Sequence, residues 1–460
     1  MMKTEQRFGT INIIDPSSTE FNRGSFCYTP YLLYNGLSEL KTAEKINLLE
    51  TFVPENLDLI PKADINIVAL WSYPQIETAL LLNHFIPFET GLKNVYYAGY
   101  TPLITHLGLP HIKDVLGYDP IADYAFLQIA MKTYPKYYSH FKRLLLSDCD
   151  MHLQSLEKGQ LVYPLFTSYG CPMGCEFCPS TKNCGNRRTN LTLYEVLHML
   201  SECQQKGILN IHFTDEDFFF SSSRAFAILD FLKNRNFHLI ALGSSTNVLN
   251  FINKYGSEIF KESGLEVIEI GFESGEDAVS YAMGAGKSLD SCYELAEIQD
   301  RIYARIFWLV LTFFPGETIT SLNKTGLFLR KYGLKESEVV GRLRTNGTKG
   351  GLGQFFQPYH GLDMYEKLEG NGQFLTERPI RLIPSYIPKS FLDSQIKEVV
   401  IERFEEAKPW LELYNISLDE ADLQSFEGKF VFEFIKNEST VVAMHNSIMF
   451  AVLARMGVIR

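Results

Sequence analysis

Cysteine, basic charge and long apolar runs are all in short supply in this 460-residue chain, and each shortage removes a class of protein. Eight cysteines are far too few for a disulfide-stapled secreted scaffold. The longest apolar runs, such as Ile306–Phe314, are far shorter than the ~20 residues a membrane span needs. Residues 1–7 lack the apolar core of a secretory signal. Lys and Arg number 43 against 54 Asp and Glu, a net charge of −11, which argues against a nucleic-acid-binding face as the main business. Hydrophobic residues make up 46% and charged ones only 21%, too apolar for a disordered chain. The expectation is a cytoplasmic protein of two or three domains, at roughly 100–200 residues each.

Apolar patterning divides the chain. Residues 1–130 alternate candidate strands (Ile11–Ile14, Ile46–Leu49, Ile65–Trp71 and Asn94–Ala98) with helical segments such as Tyr31–Leu40 and Gln75–His84. That alternation predicts a doubly wound parallel sheet, whose ligands sit at the strand carboxyl ends. Residues 131–160 read as a helical linker. A second alternation fills 161–375, with strands at Leu161–Thr167, Asn210–Thr214, His238–Gly243, Val267–Phe272, Ile306–Phe314 and Gly353–Gln357. Six strands with helices between them suggest a partial parallel barrel, with its working groups in the loops beyond the strand ends. Residues 376–460, with helices expected at Asp393–Leu413 and Leu418–Phe426, form a C-terminal cap. The fold class is therefore α/β, with a small mainly helical end.

Three of the cysteines are not scattered. Cys171, Cys175 and Cys178 fall within eight residues, among Gly170, Pro172, Gly174 and Pro179, which predict a loop. Three close thiolates suit a soft metal centre. A structural zinc needs four ligands, with Cys184 as the available fourth. An iron–sulfur cube held by three leaves one iron open to a small molecule, and spacing favours this open cluster. The other cysteines read as small buried hydrophobes.

Cys171-x3-Cys175-x2-Cys178, with Phe177 before the last cysteine, resembles the signature of the radical S-adenosylmethionine (SAM) superfamily. Thr214-Asp215-Glu216-Asp217-Phe218 is similar to the family's acidic turn after the second barrel strand. Glu269-Ile270-Gly271-Phe272-Glu273-Ser274-Gly275, Phe314-Pro315-Gly316-Glu317-Thr318 and Phe356-Gln357-Pro358-Tyr359-His360-Gly361 resemble later strand ends of its cobalamin-associated branch. His360 and Asp363 depart from the Pro-x-Pro-Gly-Thr run usual at the last site. The resemblance implies a radical SAM partial (β/α)6 barrel behind a Rossmann-like, cobalamin-binding-type sheet.

It implies cofactors as well: a [4Fe-4S] cluster on the three cysteines, SAM chelating the open iron, and cobalamin where the first sheet binds it. One electron from the cluster cleaves SAM to a 5′-deoxyadenosyl radical that attacks an unactivated C–H bond, chemistry the cofactor carries while the protein orients it. Asp215 and Glu216 are the acceptors expected to face the SAM amine, Glu273 and Ser274 its ribose, Ser245 and Asn247 its carboxylate or ribose. Phe177 belongs near the adenine or shields the cluster. The plain alternatives are helix capping for the acidic pair and turn chemistry for Ser245 and Asn247.

The branch's usual cobalt-binding motif, Asp-x-His-x-x-Gly, is missing: Asp15-Pro16-Ser17-Ser18-Thr19-Glu20 stands there. His106 and Gly108 have the wrong place and spacing, and Tyr100 stands where it would crowd a corrin face. Two outcomes stay open. Cobalamin, packed by residues such as Trp71, Tyr73 or Tyr100, implies methyl transfer to carbon. Without it, rearrangement, cyclisation or adduct formation follows. The expected partners are a small-molecule or peptide substrate and an electron donor of flavodoxin or ferredoxin type, with nucleic acid disfavoured: Arg187-Arg188 and Arg342–Lys349 read as solvated faces or anion contacts. A structural zinc or electron-transfer iron–sulfur protein is the non-enzymatic alternative. Phe218, Phe219, Phe220, Phe355, Phe356 and Tyr359 are candidates for an apolar pocket or for core.

Overall fold

Runs of Ile, Val and Leu build the first sheet: β1 (Phe8–Ile14), β2 (Ala43–Leu49), β3 (Ile65–Leu70) and β4 (Val95–Gly99). They lie parallel in the order β2-β1-β3-β4. The computed structural model describes residues 8–15, 29–49, 60–70, 94–106, 108–137, 162–284, 289–312, 314–328, 331–332, 354–356, 358–359, 361–368, 372–374 and 386–388. Trp71, Tyr73, His360, the Arg342–Lys349 stretch and the helices expected at 75–84, 393–413 and 418–426 lie outside these. The chain forms two compact units: Met1–Ser147, Glu157–Pro172 and Pro179–Glu216 in one, Asp148–Leu156, Met173–Cys178 and Asp217–Arg460 in the other.

The register of the first sheet is fixed by a polar ladder inside apolar strands. Asn12 on β1 lies opposite Asn47 on β2 and Asn66 on β3. Its amide donates to Asn66 Oδ1 (2.8 Å) and Pro61 O (2.7 Å), and its Oδ1 accepts from Asn47 (2.8 Å). Slipping one residue would leave these buried amides unpaired, at about 1–3 kcal/mol each. Helix α1 (Thr29–Glu39) is buried along nearly all its length. α2 (Thr101–His106) follows β4, and α3 (Tyr124–Lys132) packs on α1. Gly36 makes that packing possible, because a Cβ there would lie 2.3 Å from the Phe126 ring.

The second alternation begins in the same unit. β5 (Tyr163–Leu165) pairs parallel with β8 (Asn210–Phe213), and the short β6 (Ser168–Tyr169) pairs antiparallel with β7 (Thr189–Asn190). α4 (Pro179–Cys184) and α5 (Leu193–Gln205) lie between them. α4 was not expected; its first residue is Pro179, which a first helical turn tolerates well. α5 starts on a capping box, Thr192 with Glu195.

In the second unit β9 (His238–Gly243), β10 (Leu265–Glu273), β11 (Arg305–Thr312) and β12 (Gln354–Phe355) run parallel in that order. Helices α6 (Ser222–Leu232), α7 (Ser245–Tyr255), α8 (Glu258–Ser263), α9 (Asp277–Ala282), α10 (Leu289–Ile298) and α11 (Ile319–Phe328) intervene. Every barrel strand expected from the sequence is present. α7 and α8 are two helices, not one, because Gly256 (φ 79°) ends the first. Phe218 and Phe219 are buried, and Phe219 packs edge-on against Phe251 and Phe260; these rings are core. Phe356 likewise lies in a buried cluster with Val279, Met283 and Phe314.

Candidate functional site

Two neighbouring carboxylates after β8 have unlike surroundings. Asp215 is fully buried and spent on its own chain: Oδ2 accepts from Thr167 N–H (3.0 Å), while Oδ1 accepts from the Thr167 hydroxyl (2.8 Å) and from the Ser168 hydroxyl. Arg188 Nη2 lies 3.7 Å from Oδ1, its side chain itself buried. Arg188 is thus an internal counter-ion, not a solvated face. Asp215 ties the end of β5 to the end of β8, and each such bond to a charged group contributes about 1.5–3 kcal/mol.

Glu216 accepts from the Gly170 N–H on one side, yet its Oε2 is enclosed with no hydrogen-bond partner. Burial pushes its pKa up to about 7; its own N–H opposes the rise, Asp215 adds to it, and Arg188 and the Gly170 N–H oppose it. A shut-in carboxylate oxygen is costly unless a donor reaches it. Of the two acceptors expected for an amine, only Glu216 has an oxygen to offer.

The cysteine loop joins this corner at Gly170. Gly170 has φ 87°, and a Cβ there would lie 2.3 Å from Arg187 O and 3.3 Å from Cys184 Sγ. Cys171 is buried, whereas Cys175 and Cys178 are partly exposed. Cys178 N–H closes a turn on Cys175 O (3.1 Å). Glu176 N–H donates to Met283 O (3.0 Å), just past α9. Gly284 leaves room for that approach, since its Cβ would meet Glu176 Cγ at 3.1 Å. Phe177 packs edge-on against Phe314 (centroids 6.4 Å apart) and the surrounding buried cluster, so it plugs the loop into the core. Among the described residues no three His, Cys, Asp or Glu side chains converge as the ligands of one ion do. A cube binds each thiolate to a different iron, which sets the sulfurs further apart.

Asp217, which sequence reasoning passed over, organises the next strand end. It caps the turn at Phe218–Phe220 through the Phe219 N–H (3.0 Å), and its Oδ2 accepts from Asn247 Nδ2 (2.7 Å) and Ser244 N–H (3.3 Å). Asn247 therefore has its amide engaged by protein. Ser245 is buried, its hydroxyl 2.7 Å from the Ser291 hydroxyl and accepting from the Cys292 thiol (3.3 Å). Both side chains thus bond other elements, Ser245 to Ser291 and Cys292 on α10 and Asn247 to Asp217.

Glu273 ends β10 with φ 65°, a left-handed conformation costly for a residue with a Cβ. The register against β11 shifts there, and Ser274 N–H turns back onto Phe272 O (2.9 Å). Gly275 N–H donates to Thr325 Oγ1 (2.8 Å), and a Cβ on Gly275 would meet Thr325 N at 2.5 Å. Buried Ser274 accepts from the Glu276 N–H (3.3 Å). α11 thus holds Glu273 in its strained turn, the kind of outlier found at binding sites.

The comparisons agree with this layout. Residues 165–329 match the family model described as the radical SAM superfamily. The chain carries a radical SAM domain. An uncharacterized methyltransferase of Pyrococcus horikoshii is 23% identical over 240 residues, 51% of this chain and 49% of that protein; the match spans about half the length of that relative. Among solved structures, the cobalamin-dependent SAM radical enzyme OxsB, with aqua-cobalamin and SAM bound, superposes with TM-score 0.54 at 13% identity, over 96% of this chain and 72% of its own. The radical SAM methyltransferase TsrM of Kitasatospora setae, with cobalamin and a [4Fe-4S] cluster bound, gives 0.51 at 12%, over 84% and 83%. These likenesses establish the fold, an α/β architecture of parallel sheets like that of cobalamin-dependent radical SAM enzymes. No helix among the described residues is long and apolar enough to cross a membrane.

Upstream of the radical SAM domain, the carboxyl end of β4 is closed by its own side chains. Tyr100 is fully buried, so its ring does not stand out from the strand ends. Gly99 (φ 134°) is needed because a Cβ would lie 1.8 Å from Leu70 O. His111 Nδ1 accepts from Lys113 N–H (3.0 Å), while Nε2 lies 3.2 Å from Thr101 Oγ1 and 3.4 Å from Asp119 Oδ2. Burial lowers its pKa against the opposing pull of Asp119. Both ring nitrogens are committed, so His111 is not poised as a metal ligand.

Proposed function

We propose that this chain is a radical SAM enzyme that modifies an unactivated C–H position of a small-molecule or peptide substrate, by cobalamin-dependent methyl transfer. The observation that carries the reading is the Cys171, Cys175, Cys178 loop standing inside the stretch that matches the radical SAM family. The methyltransferase relative and the fold shared with cobalamin-dependent enzymes support the methyl-transfer part.

In this reading the three thiolates hold the cluster, which supplies one electron and an open iron for SAM. The donor set fits by its chemistry: Cys171, Cys175 and Cys178 are three soft ligands on one short loop. Glu216 Oε2 accepts a hydrogen bond from the SAM amine, since it is the enclosed acceptor without a protein partner. Asp215 acts through Glu216 and Gly170 by fixing the strand ends on which both stand. Glu273, held by the Gly275–Thr325 bond, receives ribose hydroxyls. Phe177 anchors the loop and excludes water from its apolar side. Cobalamin on the first sheet supplies the methyl carrier, and an electron donor of flavodoxin or ferredoxin type supplies reducing equivalents.

Anaerobic reconstitution with iron, sulfide and hydroxocobalamin tests the proposal. The desalted protein should retain both cluster and corrin absorbance and, under reductant, consume SAM to S-adenosylhomocysteine or 5′-deoxyadenosine. Corrin loss on desalting, with 5′-deoxyadenosine still formed, would replace methyl transfer by rearrangement, cyclisation or adduct formation. Tightly held zinc without SAM turnover would overturn the enzyme reading itself.

A further inference from the structure

We infer that Glu269 is a specificity-determining residue, its carboxylate set on the inner face of the strip formed by β9, β10 and β11 to receive a protonated amine of the substrate. The inference deepens the radical SAM reading above by naming the chemical class of the substrate, and rests on that reading for the reaction.

The two faces of this strip differ. On the outer face Phe272 stacks on Phe328 of α11 (centroids 3.7 Å apart) and meets Tyr293 of α10 edge-on, while Trp308 meets Phe328 at 4.9 Å. Ile270 shares that face, since it lies opposite Trp308 on β11 and Gly243 on β9. A Cβ on Gly243 would come 2.9 Å from Val248 of α7. Successive strand residues point to opposite faces. Glu269 and Gly271, with their register neighbours Leu242, Phe307 and Leu309, therefore turn away from these helices. The outer residues Ile306, Trp308 and Val310 are buried, whereas Phe307 and Leu309 between them are partly exposed, as is Leu242. The inner face is open to solvent and walled by apolar side chains.

Glu269 breaks this apolar pattern. It is 8% exposed on a central strand, and a carboxylate between Leu242 and Phe307 costs free energy that a leucine or valine in its place would not. Such breaks in patterning are expected at functional sites. Arg305, opposite Val267 on β11, stands on its amino-terminal side. An ionised carboxylate has about four lone-pair positions, so a bond to Arg305 leaves others toward the carboxyl ends of the strands. Gly271, next on the same face, sets no side chain over them.

The lining selects the ligand. Apolar walls favour a hydrocarbon body, the carboxylate favours a cation that donates hydrogen bonds, and the Phe307 ring favours the same cation through its π face. A protonated amine on a small apolar molecule meets all three demands, whereas a carboxylate or phosphate is repelled. At a strand rise of ~3.3 Å per residue, Glu269 lies about 13 Å along β10 from Glu273, the residue that receives the SAM ribose in the reading above. The amine therefore anchors the end of the substrate remote from the reacting C–H bond.

The test uses the full chain, reconstituted anaerobically with iron, sulfide and SAM, as wild type, Glu269→Gln and Leu309→Trp. The probes are hexylammonium and neutral hexanol, with binding followed by ligand-observed nuclear magnetic resonance. Wild type should bind hexylammonium at least about tenfold more tightly than hexanol. E269Q should lose that preference, its hexylammonium affinity falling at least about tenfold, with iron content and the electron paramagnetic resonance (EPR) spectrum of the reduced cluster with SAM unchanged. L309W keeps the carboxylate but fills the space beside Gly271, and should weaken both probes. Equal affinity of the wild type for the two probes overturns the inference without recourse to any variant. So does hexylammonium binding within about twofold of wild type in E269Q, or unchanged binding of both probes in L309W. A wild type that prefers hexylammonium through Glu269 yet cleaves no SAM overturns the radical SAM reading and leaves the amine site standing.

Discussion

At the scale of single residues, Asp215 and Glu216 show what a motif conveys and what it hides. The run Thr214–Phe218 announced an acidic turn, but spacing treats adjacent carboxylates as equals. Their partners, Thr167 and Ser168 for one and Gly170 for the other, lie about fifty residues away in sequence, so only the fold divides their roles. Asp217 was missed for the same reason: its claim on Asn247 spans 30 residues. The division is testable. Asp215→Ala leaves three buried donors without their acceptor and takes the carboxylate from beside Arg188, and should lower unfolding free energy by about 3 kcal/mol in denaturant titration. Glu216→Gln should leave stability near wild type and weaken SAM binding about tenfold at pH 8. With a pKa about 7, Glu216 offers an ionised acceptor above that pH and loses it as pH falls. Wild-type SAM affinity should therefore drop about tenfold from pH 8 to pH 6 relative to E216Q. Parallel pH profiles for the two proteins would remove Glu216 from the SAM site.

At the scale of elements, the strands were legible because short Ile/Val/Leu runs bounded by Gly, Pro and Asn carry their own signal. Helices were legible in position but not always in extent, as Gly256 shows by parting α7 from α8. The turn after β10 was legible as Glu273-Ser274-Gly275, but the reason for its glycine was not. That reason is Thr325 on α11, fifty residues on. Gly275→Ala forces a Cβ against α11 backbone and should cost about 1–3 kcal/mol, displacing Glu273 with it. Thr325→Val removes only the bond, at about 1 kcal/mol. The melting temperature should fall further for G275A than for T325V, and SAM affinity should fall in the same order. Equal melting temperatures would mean that the turn does not lean on α11.

At the scale of the whole molecule, an α/β chain with a doubly wound sheet ahead of a radical SAM domain was readable from the order of motifs, whereas the cobalt's surroundings were not. No histidine follows β1 at Asp15–Glu20, and His111 at the β4 end has both nitrogens engaged. Cobalamin taken up by the chain should thus show a Co(II) EPR spectrum unchanged by growth on 15N-histidine; altered nitrogen splitting would mean that a histidine ligates the cobalt. The central claim is that three sulfurs hold a cluster with one iron left for SAM. Its most direct measurement is the EPR spectrum of the reduced, reconstituted protein with SAM labelled by 15N at the amine and 17O at the carboxylate. Hyperfine coupling from both labels, abolished together with the bound iron in Cys171→Ala, Cys175→Ala and Cys178→Ala, is the predicted result. A cluster that survives these substitutions, or feels neither label, would contradict it.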